Sequence, residues 1–293
     1  MFNHDQAFKN LIIEYMHSAL RFLFPELTAT WPENVVIKPV RQEQLKEYMG
    51  DNFRELDTPL EVQFPDGSRE ALIVVIETES RDRKDFLKYL AVVSIHISML
   101  MKTDRVVPAV LYPFRKRPFA GRFTLNDGIR NYLDFSCVSC VLSKIDALKY
   151  EHSRNIVARL CLPLMGHQPT DKLRLITKAY EGLIELEPDF GKQVKFSEFI
   201  NHYAKLEMTE RKELQETYIK RSPFRENVMT LAKIWDEEGR AKGRAEGNVE
   251  LIVSMYEAKE ISATVARARL KLIAGKDAVA KALVVKAMTR ITK

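Results

Sequence analysis

An α/β fold is expected, a mixed sheet flanked by helices, followed by an all-helical region and a charged helical tail. Three observations predict it. Ala71 to Ile76 is an unbroken, β-branched apolar run of strand length, the pattern of a strand buried on both faces. A segment with helical spacing at Phe86, Leu90, Val93, Ile97 and Leu100 leads from it to a second apolar run, Val106 to Tyr112. This is the length of a βαβ crossover. Beyond about residue 145, segments of helical periodicity follow one another between Pro and Gly.

Taken in order, Asp5 to Leu23 reads as one amphipathic helix ended by Pro25, with Phe8, Leu11, Ile12, Tyr15, Met16, Ala19, Leu20 and Leu23 on one face. Val35 to Val40 suits a short strand or loop, and Gln42 to Met49 a helix. Asp57 to Phe64 and Glu70 to Glu77 form a hairpin through the turn at Pro65-Asp66-Gly67. Phe135 to Leu142 is a further strand. Helices are expected over Ile145–Met165, Asp171–Leu186, Phe196–Leu206, Thr209–Tyr218 and Val249–Ala274. The organisation this implies is a sheet core at 1–145, a helical subdomain at 146–234 and a tail at 235–293.

The tail carries glycine at every fourth position, Gly239, Gly243 and Gly247, with Arg240 and Arg244 in step. On a helix this is a bare stripe flanked by charge. It serves either close helix–helix contact, which permits a homodimer, or a solvated linker, since each Gly costs about 1 kcal/mol against Ala.

Composition narrows the function classes. The chain has 293 residues, 46% hydrophobic, and a mean hydropathy of -0.23. No stretch approaches the roughly 20 apolar residues of a membrane span, and the N-terminus lacks a signal peptide's apolar core. A cytoplasmic protein without membrane partners is expected. The only cysteines, Cys137, Cys140 and Cys161, fit a reducing compartment. Their C-x-x-C reads as part of a strand rather than a zinc or redox site, because no second pair completes it. There is no G-x-S-x-G, Walker motif or G-x-G-x-x-G after a strand, so no small-molecule cofactor is expected.

The chemistry-bearing residues lie at the end of the central strand. Glu77 and Glu79 are two apart and would leave a strand on one side, and the hairpin could bring Asp57 beside Glu77. Like charges about 4 Å apart repel by roughly 4 kcal/mol at an effective dielectric near 20. A shared proton or a cation would relieve this, and oxygen-only ligands favour Mg²⁺. The alternative is a strand that stops at its first solvated glutamates. A net charge of +6 permits a polyanionic partner. Lys102, Arg105, Arg115, Lys116, Arg117 and Arg122 fall in a stretch with one acid, Asp104, and could form a phosphate-contacting rim or a solvated loop. Of the six histidines only His4, beside Asp5, lies near the suspected site.

These pieces in this order resemble the recombination-promoting nuclease (Rpn) and transposase-like family of the PD-(D/E)xK nuclease superfamily. The likeness runs through H-D-Q-A-F-K at His4–Lys9, L-x-x-L-F-P at Leu20–Pro25, Asp57, Asp66-Gly67, V-I-E-T-E-S at Val75–Ser80, D-F-L-K-Y, V-V-P-A-V-L-Y and the E-E-G-R-x-x-G-R tail. It implies a restriction-endonuclease-like sheet and a Mg²⁺-dependent DNA endonuclease, with Mn²⁺ as a substitute ion. Asp57, Glu77 and the Thr78 carbonyl would hold the metal, with Asp5 as an added acid; Asp5 could equally cap the first helix. Glu79 stands where many relatives carry Lys and this family often carries Gln. It would act as general base or second-ion ligand, with Lys84 or Lys88 supplying a displaced cation and Ser80 a hydrogen bond to phosphate. The competing expectation is an inactive nuclease-like scaffold that binds DNA or protein.

Overall fold

The apolar run that opens at Ala71 is the central strand of a five-stranded sheet in a computed structural model that describes residues 3–40, 58–76, 85–114, 121–274 and 278–291. The sheet order is β1-β2-β3-β4-β7, with β1 at Val36–Pro39, β2 at Thr58–Gln63, β3 at Arg69–Ile76, β4 at Val106–Tyr112 and β7 at Val138–Val141. β2 runs antiparallel to both its neighbours, whereas β3, β4 and β7 are parallel, so the sheet is mixed. Leu72 and Val74 are wholly buried and Ala71, of opposite parity, is 1% exposed. Both faces of β3 are therefore covered, as a continuous apolar run requires.

Local chemistry explains the expected hairpin. Gly67 takes φ 83°, a conformation that costs glycine little. The Asp66 carboxylate accepts from the Ser68 amide at 2.8 Å, and the turn closes with Phe64 N–H donating to the Ser68 carbonyl at 2.9 Å. The register then sets Thr58 opposite Val74 and Gln63 opposite Arg69.

Helices cover the sheet. α1 (His4–Glu14) and α2 (Met16–Leu23) bury Phe8, Leu11, Ile12, Ala19, Leu20, Phe22 and Leu23, and α1 packs on β2 and β3. A single helix was expected here, but the chain breaks at Tyr15 (φ −127°, ψ 48°). That break directs the Tyr15 hydroxyl to Glu187 Oε2 at 2.5 Å. Pro25 opens a short turn of helix, α3 (Pro25–Thr28), where its missing N–H costs nothing. The crossover helix α4 (Phe86–Met101) packs Leu87, Leu90, Val93 and Ile97 against Ala71, Val110, Tyr112 and Val141. Burial of each such side chain contributes about 1.5–3 kcal/mol.

Other elements differ from expectation. The strand expected over Phe135–Leu142 is two: β6 (Asn131–Ser136) pairs with β5 (Arg122–Asn126) in a separate hairpin, and β7 joins the main sheet. The helix expected over Ile145–Met165 shrinks to α5 (Ile156–Leu160) among short 3₁₀ turns. Polar side chains there compete for the backbone: Asp146 accepts from the Leu148 amide, and Asn155 from those of Val157 and Ala158. At Gly166, a Cβ would lie 2.7 Å from the Ser143 carbonyl. α6 (Lys172–Leu186) matches expectation, whereas α7 (Phe190–Ala204) starts six residues before Phe196 because Asp189 caps it, accepting from Lys192 N–H at 2.8 Å. α8 (Met208–Glu213) runs into a π turn at Leu214–Tyr218. Gln42–Met49 lies outside the described residues.

The chain divides into compact units at Met1–Arg225 and Glu226–Lys293. The expected sheet core and helical subdomain thus share one unit. Phe8 meets Phe199 with ring centroids 5.3 Å apart, and Asn155 Nδ2 donates to the Ser18 carbonyl at 2.7 Å. The glycine-repeat tail belongs to one long helix, α9 (Arg225–Glu257). The second unit has its own core: Val253, Ala266 and Leu270 pack with Val284 and Ala287, joining α9, α10 (Ala263–Ala274) and α11 (Ala278–Ile291). The helix expected over Val249–Ala274 is broken where Lys259 turns to φ 61°. Among the described residues, no helix is long and apolar enough to cross a membrane.

Candidate functional site

The strand directions define one end of the sheet. β3 ends at Ile76, paired with Leu111 of β4, and β2 begins at Thr58 opposite Val74. The chain therefore enters β2 and leaves β3 at the same end, the carboxyl end of the parallel strands. Ligand crevices of open α/β sheets form at such ends. Asp57, Glu77, Thr78, Glu79, Ser80 and Lys84 lie outside the described residues, as do Arg115, Lys116 and Arg117.

Around this end the first unit assembles a polar and aromatic cluster. Phe114, just past the end of β4, meets the His4 ring at 5.1 Å between centroids. His4 also lies 5.1 Å from the ring of His202, and its Nδ1 is 3.2 Å from the Tyr203 hydroxyl. Burial pushes the Tyr203 hydroxyl well above the usual tyrosine range, and the nearby Asp5 carboxylate pushes the same way. Burial lowers His202, helped by His4 and Lys205. No sequence motif pointed to His202, Tyr203 or Phe114: α7 and α1 bring together residues 199 positions apart.

Asp5 sits in the first turn of α1, where an acid is favoured by the helix dipole. The cap itself is Asn3, whose side chain accepts from the Gln6 amide at 3.1 Å. The alternative of Asp5 as the capping residue is thus corrected. Asn3 reaches the amide first because it lies outside the helix.

Of the basic stretch, Lys102, Arg105 and Arg122 are among the described residues. Lys88 is in the first turn of α4, 3.1 Å from Asp85 Oδ1 and 5.9 Å from the centre of the Phe123 ring. Arg122 opens β5 and is held by both oxygens of Asp134, with Nε to Oδ1 at 2.8 Å. Lys102 caps the far end of α4 in a left-handed conformation, φ 51°. The Arg105 carbonyl accepts from Ala71 N–H at 2.8 Å, so Arg105 lies beside the start of β3, about 17 Å of strand from Ile76 at ~3.3 Å per residue. The physical reason is simple. β4 carries the chain across the sheet between Arg105 and Phe114, so Arg105 lies a strand's length from the carboxyl end of the parallel strands.

Arg105 has local partners. Its guanidinium donates to Glu70 Oε2 and Ser68 Oγ, each at 3.2 Å, and stacks 4.9 Å from the Phe64 ring centre. Glu70 is buried, and among the described residues its Oε1 has no hydrogen-bond partner. Burial raises the Glu70 carboxyl above the usual range, and Arg105 opposes that shift.

Among the described residues no group of three or more His, Cys, Asp or Glu could hold a metal ion. The cysteines are free thiols, with Cys140 pushed up to about 12 by burial, a poor nucleophile. No family model, curated protein or solved structure matches the chain.

Proposed function

We propose that the chain is a Mg²⁺-dependent DNA endonuclease of the recombination-promoting type, on a restriction-endonuclease-like core. One observation carries the reading. Thr58 and Ile76, at the same end of the sheet, are the sequence neighbours of Asp57 and Glu77, each one peptide unit of about 3.8 Å away. Further support comes from the crossover α4 between parallel β3 and β4 and from Asp5 in the first turn of α1.

Asp57, Glu77, the Thr78 carbonyl and Asp5 offer only oxygen donors, a set suited to Mg²⁺ or Mn²⁺. When bound, such an ion supplies a lowered water pKa and charge neutralisation at a scissile phosphate. Glu79 would take the proton of the attacking water. A cation from Lys84, or from Lys88 after leaving Asp85, would stabilise the charge that develops on the phosphate. Ser80 would donate to a phosphate oxygen. Of the expected phosphate-contacting residues, Arg115, Lys116 and Arg117 follow β4 in sequence and would contact the DNA backbone, and Arg122 would do so only after leaving Asp134.

The test is nicking of supercoiled plasmid with Mg²⁺ by the parent, Asp57→Ala and Glu77→Ala proteins. Loss of nicking in both variants is expected; equal nicking by parent and Glu77→Ala would refute the assignment. A second reading, an inert scaffold that retains DNA, is favoured by one observation: Glu79 stands where the superfamily that the sequence resembles often carries Lys, and a carboxylate cannot supply that cation. It requires salt-sensitive DNA retention and no cleavage with any divalent ion.

A further inference from the structure

A second basic site lies among the helices of the first unit. A cleft of about 460 Å³ is lined by His17, Ser18 and Arg21 of α2, Glu33, and Arg154 and Asn155 at the entry to α5. Among the described residues Arg21 and Arg154 have no carboxylate partner. Other arginines, such as Arg105, Arg122, Arg159, Arg174 and Arg290, have one; what sets Arg21 and Arg154 apart is that both line the same cleft. Guanidinium groups are permanently charged, so Arg21 and Arg154 place two fixed positive charges on one cleft. His17 adds to that positive field when protonated, and burial, seconded by Arg21, lowers its pKa. Glu33 offsets one charge and leaves the cleft net positive.

The walls are fixed in place. Asn155 accepts from the amides of Val157 and Ala158 and donates from Nδ2 to the Ser18 carbonyl at 2.7 Å. That bond ties α2 to the segment bearing Arg154, across 137 positions of sequence. The two cations are therefore carried on backbone segments that this bond holds side by side, around an open cleft.

We infer that this cleft binds a phosphodiester group of the nucleic-acid backbone, with Arg21 and Arg154 donating to its oxygens. The planar fork of arginine matches phosphate geometry, and two of them give a bidentate clamp. The inference rests on the nucleic-acid reading above, which it deepens by adding a backbone-binding site built from α2 and the α5 entry.

The experiment measures duplex DNA binding to the full chain against salt concentration, without divalent ions so that cleavage plays no part. Parent, Arg21→Gln, Arg154→Gln, the double variant and the Arg21→Lys/Arg154→Lys pair are compared. Removing one cation from a neutralised phosphate lowers the slope of log K against log salt by about 0.9. The double Gln variant is expected to reduce the slope by about one to two units, with most of it restored in the Lys pair. Both arginines are exposed, so unchanged thermal unfolding of the variants accompanies the expected result. An unchanged slope in the double Gln variant overturns the inference, even where the parent nicks plasmid. A parent that fails to bind DNA but binds inorganic phosphate in this cleft also overturns it. A reduced slope with a parent that never nicks plasmid supports the cleft and removes the nuclease reading instead.

Discussion

Replacing Glu70 with methionine should make the first unit more stable at neutral pH, although it removes an ion pair. The Glu70 side chain is 8% exposed, and its partner Arg105 is 53% exposed. A pair with one half-exposed member contributes only about 0–1 kcal/mol. Against that stands Oε1, buried with no donor among the described residues, which costs roughly 1–3 kcal/mol. Methionine has nearly the same shape and no polar atom. The balance favours the variant by about 1–2 kcal/mol, in keeping with the range seen when buried ion pairs are replaced by apolar groups. For a unit of this size the gain corresponds to about 2–8 °C in Tm. The pH dependence follows from the direction of the shift. Burial raises the folded-state carboxyl above its unfolded value. Its stabilising contribution is therefore complete below the unfolded pKa, near 4.3, and is lost as pH rises through the raised folded value. Thermal unfolding of parent and Glu70→Met at pH 4 and pH 7.5 should show the larger advantage at pH 7.5. A variant that melts below the parent at pH 7.5, or an offset equal at both pH values, would refute the reasoning.

Two further outcomes are expected. Glu79→Gln should lower plasmid nicking by about 100-fold or more, the range of general-base catalysis; nicking at the parental rate would remove Glu79 from the chemistry. Gly182→Ala should destabilise the first unit by about 1–3 kcal/mol, since its Cβ would lie 2.5 Å from Nε of the buried Arg159, whose guanidinium donates to the Lys178 carbonyl at 2.6 and 3.0 Å. Denaturant unfolding with an unchanged midpoint would show that Arg159 moves aside freely.

What the sequence revealed was local. The apolar run of β3, the spacing of α4 and the Asp66-Gly67 turn each carry their signal within a few residues, and each forms as expected. Asp127-Gly128 carries a similar turn signal, with Gly128 at φ 89°. Its hairpin escapes a reading by pattern because large apolar residues sit exposed, Ile129 in the turn at 89% and Tyr132 in β6 at 67%, without the alternation of a half-buried strand. The helix expected at Ile145–Met165 fails because caps from Asp146 and Asn155 outweigh periodicity. Long-range placement was not legible at all. Arg105 reads as part of a basic run and folds onto Glu70 instead. His4 meets Tyr203, and Arg21 shares a cleft with Arg154, only because helices distant in sequence pack together.

The packing of Phe8 on Phe199 and of Tyr15 on Glu187 has a consequence for synthesis on the ribosome. α1 emerges first and the sheet strands next, yet the face of α1 that carries Phe8 stays uncovered until α7 follows, roughly 60 residues after position 145. At about 5–20 residues per second that is an interval of about 3–12 s. During it Phe8 lacks its Phe199 partner and Tyr15 lacks Glu187, which makes this stage the one at which chaperone engagement should be strongest.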